Sequence, residues 1–319
     1  FDHEGQFGNS NTFIYMAISR PNKPLDAFDP PLDATDVFAI DTAGATSPTP
    51  PWFTSGFVTD LLIKKQMNST ESPAIYSRLQ GPGYMYTNAT GTETSNSVYE
   101  WDYMNGVVNV NNVNAPVHGY MFKRAPGFMD VVAYAGTGSA TTVIHNLGVV
   151  PELMIVKCRS SAEGWPVYHS AFGATKYVRI NNNSAEATSN LFWNDTAPTS
   201  SVFSVGGYDE VNGNTKTYIA YLFATLPGIS KIGTYSGSSS AVNVDCGFTN
   251  GARFVLVKRT DSTGDWYVWD TSRGITNGND PFIRLNASAA QTTNTDSIAP
   301  LSSGLNIVGP GNTSNLNAS

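Results

Sequence analysis

Charge is scarce in this chain. Only 13% of its 319 residues are Asp, Glu, Lys or Arg, about half the ~25% usual in globular proteins. No basic cluster exists either: the densest run, Lys157-Cys158-Arg159, sits inside a strand-like segment, and the net charge is −7. Nothing here would neutralise a phosphate backbone, which excludes nucleic acid as a partner. No apolar run approaches the ~20 residues of a membrane-spanning helix, so no membrane insertion is expected. Helical periodicity is absent. There is no starting Met and no signal peptide, and a chain opening at Phe1 reads as a fragment or a processed product. Cysteine is nearly lacking. Cys158 and Cys246 stand at non-equivalent positions, so both are expected as free thiols, in keeping with assembly in a reducing cytoplasm.

What fills the space left by charge is Gly, Ser, Thr and Asn, interleaved with aromatic and β-branched residues. An aromatic share of 12% is too high for a disordered chain, which lacks the apolar surface to offset the entropy of ordering. The mixture suits pleated, half-buried strands. The fold class is therefore all-β, and the length predicts two to three compact units.

Self-similarity is the strongest signal. Lys157 and Lys258, Tyr134 and Tyr235, Trp165 and Trp266, and Phe122 and Phe223 are each separated by 101 positions. A diverged copy precedes these two: Leu61-Leu62-Ile63-Lys64-Lys65 matches the strand ending in Lys157, with Lys64 93 positions before it, and Asn88 lies 93 before Asn181. The expected organisation is residues 1–20 as the closing strand of a preceding repeat, seen in Thr12-Phe13-Ile14-Tyr15-Met16-Ala17-Ile18. Residues 21–51 form a Pro-rich connector, 52–125 a diverged repeat, 128–225 a second repeat, and 229–319 a third that lacks its closing strand. Read this way, the chain is a piece of a longer array.

Within the third repeat, a run ending at Arg259 and the run Trp266-Tyr267-Val268-Trp269 flank the turn-forming residues 260–265, which predicts a β-hairpin. The second repeat has the same pattern around residues 160–164. Further strands are expected around residues 281–286 and 305–308. Short strands with Gly, Asn and Ser turns imply a β-sandwich-like unit of ~100 residues. The junctions Ala125-Pro126-Gly127 and Leu226-Pro227-Gly228 are tight and alike, which predicts a fixed angle between units and a stack of beads in a rod.

The phrases Asn146-Leu147-Gly148-Val149-Val150-Pro151-Glu152-Leu153-Met154-Ile155-Val156-Lys157 and Thr217-Tyr218-Ile219-Ala220-Tyr221-Leu222-Phe223, with Lys258-Arg259-Thr260-Asp261-Ser262-Thr263-Gly264-Asp265-Trp266, resemble a tandem ~100-residue β-domain of tailed-phage virion proteins, chiefly marine and cyanophage ones. The resemblance covers residues 54–319 and is strongest in the second and third repeats. It implies a structural protein of the virion, a tail fibre or appendage assembled in the bacterial cytoplasm, with contact to host surface polysaccharide as an adhesive option. It implies as partners other virion proteins and copies of the same chain, a trimer foremost, which would also cover exposed strand edges. A capsid decoration protein and a non-viral carbohydrate-binding adhesin are the alternatives.

No enzyme is expected. His3, His118, His145 and His169 lack zinc-ligand spacing, and no nucleophile-elbow motif accompanies the many serines. Asp261, Asp265 and Asp270 form the densest acidic patch, as a glycosidase would need, but the second repeat has Ser160, Gly164 and His169 there. The Asp261–Asp265 loop lacks the ligand density of a calcium loop. Neither metal nor cofactor is expected. Sequons at Asn68, Asn88, Asn182 and Asn286 arise by composition. Trp165 and Trp266 share a repeat position and read as core, while Tyr267, on the opposite strand face, is the candidate glycan contact.

Overall fold

The computed structural model describes residues 33–43, 50–95, 99–109, 117–238 and 240–308. The strand expected within residues 1–20 lies outside them. The first unit holds β1 (Phe38–Ala43), β2 (Phe53–Thr54), β3 (Leu61–Gln66), β4 (Ala74–Ser77), β5 (Gly83–Tyr86), β6 (Thr94–Ser95), β7 (Tyr99–Glu100), β8 (Gly106–Asn109) and β9 (Val117–Phe122). The second holds β10 (Met129–Ala135), β11 (Thr141–Ile144), β12 (Leu153–Cys158), β13 (Pro166–His169), β14 (Lys176–Arg179), β15 (Ala187–Thr188), β16 (Val202–Val205) and β17 (Thr217–Phe223). The third holds β18 (Val242–Asp245), β19 (Phe254–Lys258), β20 (Trp266–Asp270), β21 (Ile283–Arg284), β22 (Ile298–Leu301) and β23 (Gly304–Ile307). The fold is all-β. Apart from short 3-10 turns, helix among the described residues amounts to two single turns, α1 (Asn190–Trp193) and α2 (Asp209–Asn212), both in the second unit.

The main sheets share one antiparallel plan. Strand order is β1-β9-β3-β4-β5-β6 in the first unit and β10-β17-β12-β13-β14-β15 in the second. The last strand of each unit inserts between its first strand and its hairpin, pairing Phe122 with Leu61 in one and Phe223 with Leu153 in the other. In the third unit the described main sheet is β19-β20-β21, and the predicted hairpin is present with Lys258 opposite Trp266.

Each main sheet is covered on both faces. Small sheets, β2-β8-β7, β11-β16 and β18-β23-β22, pack on the outer faces and close a separate core in each unit. The inner faces meet in one shared core. Leu61, Ile63 and Phe122 from the first unit, Ile155, Trp165 and Tyr221 from the second, and Trp266, Val268 and Ile283 from the third all belong to it. Alternation along a strand divides the residues: Met154 and Val156 face the outer core and Ile155 the inner one. Because both faces are dry, these strands read as continuous apolar runs rather than as alternating ones.

The units form a ring, not the rod expected from their junctions. The backbone N–H of Glu93 donates to the carbonyl of Arg159, that of Glu186 to Thr260, and that of Gln291 to Met67, at 2.9, 2.8 and 2.8 Å. These three bonds join first unit to second, second to third, and third back to first. A row of beads would leave each inner apolar face bare at the ends, whereas the ring buries all three together. The junctions themselves are as alike as expected. Gly127 and Gly228 have φ of 77° and 76°, a left-handed conformation that glycine adopts without strain.

The connector assigned to residues 21–51 needs correction as well. It contains β1, which pairs with β9 from Phe38–Phe122 to Ala43–Val117. Between Pro31 and Pro48 no proline interrupts residues 32–47, so a strand can form there.

Candidate functional site

The chemistry-bearing side chains gather at the boundaries between units. Lys65 Nζ donates to the carbonyl of Ser288 at 3.1 Å, Lys157 Nζ to Thr90 at 3.1 Å and Lys258 Nζ to Asn183 at 3.4 Å. Each lysine thus reaches the backbone of the neighbouring unit, and the ring closes through the third-to-first contact. Lys157 also donates to the carbonyls of Cys158 and Glu163, both at 2.9 Å, and Lys65 to those of Ser69 and Glu71. Burial pushes all three ammonium groups down to about 8, because a charge loses hydration there. The counterpart of Lys157 in the first unit is therefore Lys65. Lys64 instead pairs with Glu71 at 3.2 Å, and the one-residue difference arises after the hairpin, where residues 78–82 between β4 and β5 are one fewer than residues 170–175 between β13 and β14.

Tryptophans mark the same boundaries. Trp165 Nε1 donates to the carbonyls of Tyr86 (3.1 Å) and Ala89 (3.0 Å), and Trp266 Nε1 to Arg179 (2.8 Å). Both are buried, as read from the sequence. The first unit has Pro73 at this position. There Thr87 Oγ1 donates to the Leu285 carbonyl at 2.6 Å and makes the cross-unit bond instead. Arg159 adds a bidentate pair with Glu93 at 2.6 and 2.9 Å, between second and first units.

Tyr267 is not the exposed ring the sequence implied. It is 5% exposed and packs in the outer core of the third unit, 5.6 Å from Trp269 and 5.1 Å from Phe282 between ring centroids. The strand face opposite Trp266 carries the small sheet β18-β23-β22, so neither face meets solvent. Exposed aromatic surface lies elsewhere: Tyr86 on β5 is 37% exposed and Tyr208 39%, while Tyr84, 5.3 Å from Tyr86, packs half-buried against the outer core of the first unit. Strand alternation alone could not single them out.

The acidic patch is split among three arginines. Asp261 pairs with Arg259 at 2.8 Å, Asp265 with Arg284 at 3.0 Å, and Asp270 with Arg273 at 2.5 Å. Only Asp270 is fully buried. Burial opposes its charge, but Arg273, helped by Ser272 and Tyr120, holds the carboxyl below the usual range. His145 Nδ1 accepts from Leu147 N at 3.2 Å while Nε2 lies 3.1 Å from the Thr199 carbonyl, and His169 Nδ1 accepts from Ala171 N at 3.1 Å. Desolvation lowers the pKa of both and of His118. His145 and His169 thus each hold a local turn through Nδ1, while His118 Nε2 lies 3.3 Å from Thr42 Oγ1 on β1. Among the described residues no three His, Cys, Asp or Glu side chains gather as a metal-binding group, and no helix is long and apolar enough to cross a membrane. Cys158 and Cys246 are free thiols.

A concavity of about 1500 Å³ lies at the third unit. Residues of β19 and residues 227–237 line it, together with Phe38 of the first unit and His169 and Phe172 of the second. Its lining mixes apolar side chains such as Phe38, Phe254 and Leu256 with charged ones, among them Lys176, Glu186, Lys231 and Arg253.

Residues 83–319 match a family model described as a domain of unknown function (DUF7483). No curated protein matches the chain, and no solved structure matches it.

Proposed function

The chain belongs to the DUF7483 family, and we propose that it is a non-enzymatic structural protein of a bacteriophage virion, located in a tail fibre or related appendage. The observation that carries this reading is the use of its buried polar groups. Three lysines with lowered pKa, two indole N–H groups and the Tyr120–Asp270–Arg273 cluster all bind one unit to the next. Perturbed groups of this kind mark catalysis in other proteins; here their partners are backbone carbonyls and fixed counter-ions, which suits a stiff, load-bearing body. The sequence resemblance to phage virion repeats supplies the setting.

Copies of the chain associate with one another in this reading, a trimer foremost, and with other virion proteins. Equilibrium sedimentation at micromolar concentration tests the trimer, and a monomer there counts against it. Adhesion to host polysaccharide in this reading falls to Tyr86, which is exposed where Tyr267 is buried. Tyr86→Ala is then expected to abolish retention on that polysaccharide with little change in stability.

The deciding experiment is gold immunolabelling of intact virions with an antibody against the third unit. Label on the tail or its fibres is the expected result. Label over the head would make the chain a capsid decoration protein, and unlabelled virions would leave a non-viral adhesin.

A further inference from the structure

Asparagine is followed by glycine at four places in the chain, at residues 105–106, 212–213, 250–251 and 277–278. Such a pair is open to internal cyclisation, because glycine has no Cβ to shield its backbone nitrogen from the preceding side-chain amide. The attack requires that nitrogen to lose its proton and to reach the asparagine Cγ. A glycine N–H tied into the fold is therefore kept from reacting until the structure opens locally.

Three of the four pairs are tied in this way. Asn212 is wholly buried; its amide nitrogen donates to Thr137 Oγ1 and to the carbonyls of Ser139 and Gly206, and its oxygen accepts from Thr137 N. The Gly213 N–H donates to the Tyr218 hydroxyl at 2.6 Å. At the next pair the Gly251 N–H donates to the Ser302 carbonyl at 2.7 Å. Gly106 is buried in β8 opposite Thr54, so close that a Cβ would lie 2.0 Å from the Phe53 carbonyl oxygen. The Asn105 carbonyl is held as well, by the N–H groups of Ser55 and Gly56.

Asn277 and Gly278 are free of such restraint. They form the tip of a turn in which the Asn279 N–H donates to the Thr276 carbonyl at 3.1 Å. Both are exposed. Gly278 has φ of 78°, and a Cβ built there would meet no atom within 4 Å. The Asn277 amide makes no hydrogen bond to another described residue. The Gly278 N–H donates to a side chain rather than to the main chain, reaching Asp296 Oδ1 at 3.2 Å.

We propose that Asn277 is a modification site, where asparagine converts spontaneously to aspartate and isoaspartate, and that the Asp296 carboxylate sets the rate. The Gly278 nitrogen gives its proton to hydroxide and attacks Asn277 Cγ. A C–N bond forms, the side-chain nitrogen leaves as ammonia, and a five-membered imide remains. Water then opens the imide at either carbonyl. One opening leaves an aspartate, and the other routes the main chain through the side chain as isoaspartate. In sum, one water is consumed and one ammonia released. Asp296 slows the first step, because its charge opposes the amide anion that the attack requires. The product adds a second carboxylate to the turn that Asp296 already binds. Its effect reaches inward, since Asp280 lies just beyond the turn. The Asp280 carboxylate accepts from Ser297 N and Ile298 N at 3.0 and 2.9 Å, and its carbonyl receives the Trp269 indole N–H at 3.1 Å.

Peptide mapping by mass spectrometry on the unaltered full chain, sampled during incubation in mildly alkaline buffer, tests the site. The peptide carrying Asn277 is expected to gain its acid and isoacid forms about tenfold faster than those carrying Asn105, Asn212 or Asn250. A rate at Asn277 no greater than at any one of these overturns the proposal. So does conversion that begins only in urea, because the folded turn is then closed to attack. Asp296→Ala is expected to quicken conversion at Asn277 about threefold and to leave the rate at Asn105 unchanged. An unchanged or slower rate at Asn277 would remove Asp296 from its role. Should that variant unfold, all four positions would speed up together, and the unaltered chain still decides the site.

Discussion

Tyr120 and Asp270 stand 150 positions apart, yet the Tyr120 hydroxyl donates to the Asp270 carboxylate at 2.8 Å, with both side chains wholly buried. The bond ties the closing strand of the first unit to the hairpin of the third. Tyr120→Phe removes one neutral donor and is expected to cost about 1–2 kcal/mol. Asp270→Ala leaves the Arg273 guanidinium buried and uncompensated, at a cost of about 3–5 kcal/mol. Denaturant unfolding of both variants checks the order, and equal losses would show that Arg273 finds another counter-ion.

Stability should rise as the solution is made more alkaline from about pH 8. Lys65, Lys157 and Lys258 have folded pKa values near 8 against the ordinary 10.5. Between these limits the unfolded chain binds more protons than the folded one, so unfolding free energy increases with pH, and below about 8 the penalty of burying the charges is complete. Above about pH 10 the buried tyrosines oppose the trend, since burial raises the pKa of Tyr120, Tyr134 and Tyr221. Lys157→Met is expected to remove about a third of the slope between pH 8 and 9.5, measured by urea unfolding at fixed ionic strength. An unchanged slope would mean that Lys157 is not the titrating group.

Tyr267→Ala should damage the fold rather than a binding surface. Its ring fills the outer core beside Trp269 and Phe282, so truncation is expected to cost about 3–5 kcal/mol, and Tyr267→Phe much less. A thermal melt separates them. An alanine variant as stable as the parent would place the ring outside the core.

Unfolding should be a single transition seen alike by tryptophan fluorescence and circular dichroism. A linear array could shed its units in turn, but here every unit contributes to one inner core and to bonds on both flanks. Two resolved transitions would contradict the ring.

Much of the local structure was legible in the chain. The 101-residue offset located two hairpins and their turns, and the shared position of Trp165 and Trp266 identified core residues. The spacing of Lys157 and Lys258 was visible as well, although why a lysine recurs there was not, because its partners Thr90 and Asn183 lie in neighbouring units. Repeats declare that copies exist and not whether they line up or close on themselves. Tyr267 was misplaced for a related reason: alternation separates two strand faces but cannot reveal that a second sheet covers the outer one. β1 was hidden between prolines, and α1 and α2 are single turns too short to leave a period.

The ring also bears on how such a gene can change. In a linear tandem, recombination between copies can add or remove a unit and leave a serviceable protein of different length. Here the bond from Gln291 to Met67 closes a circle whose curvature is set by three members. A duplicated copy would have to wait outside it, and a deleted one would open it, so unequal crossing-over should yield viable alleles only in whole multiples of the triplet.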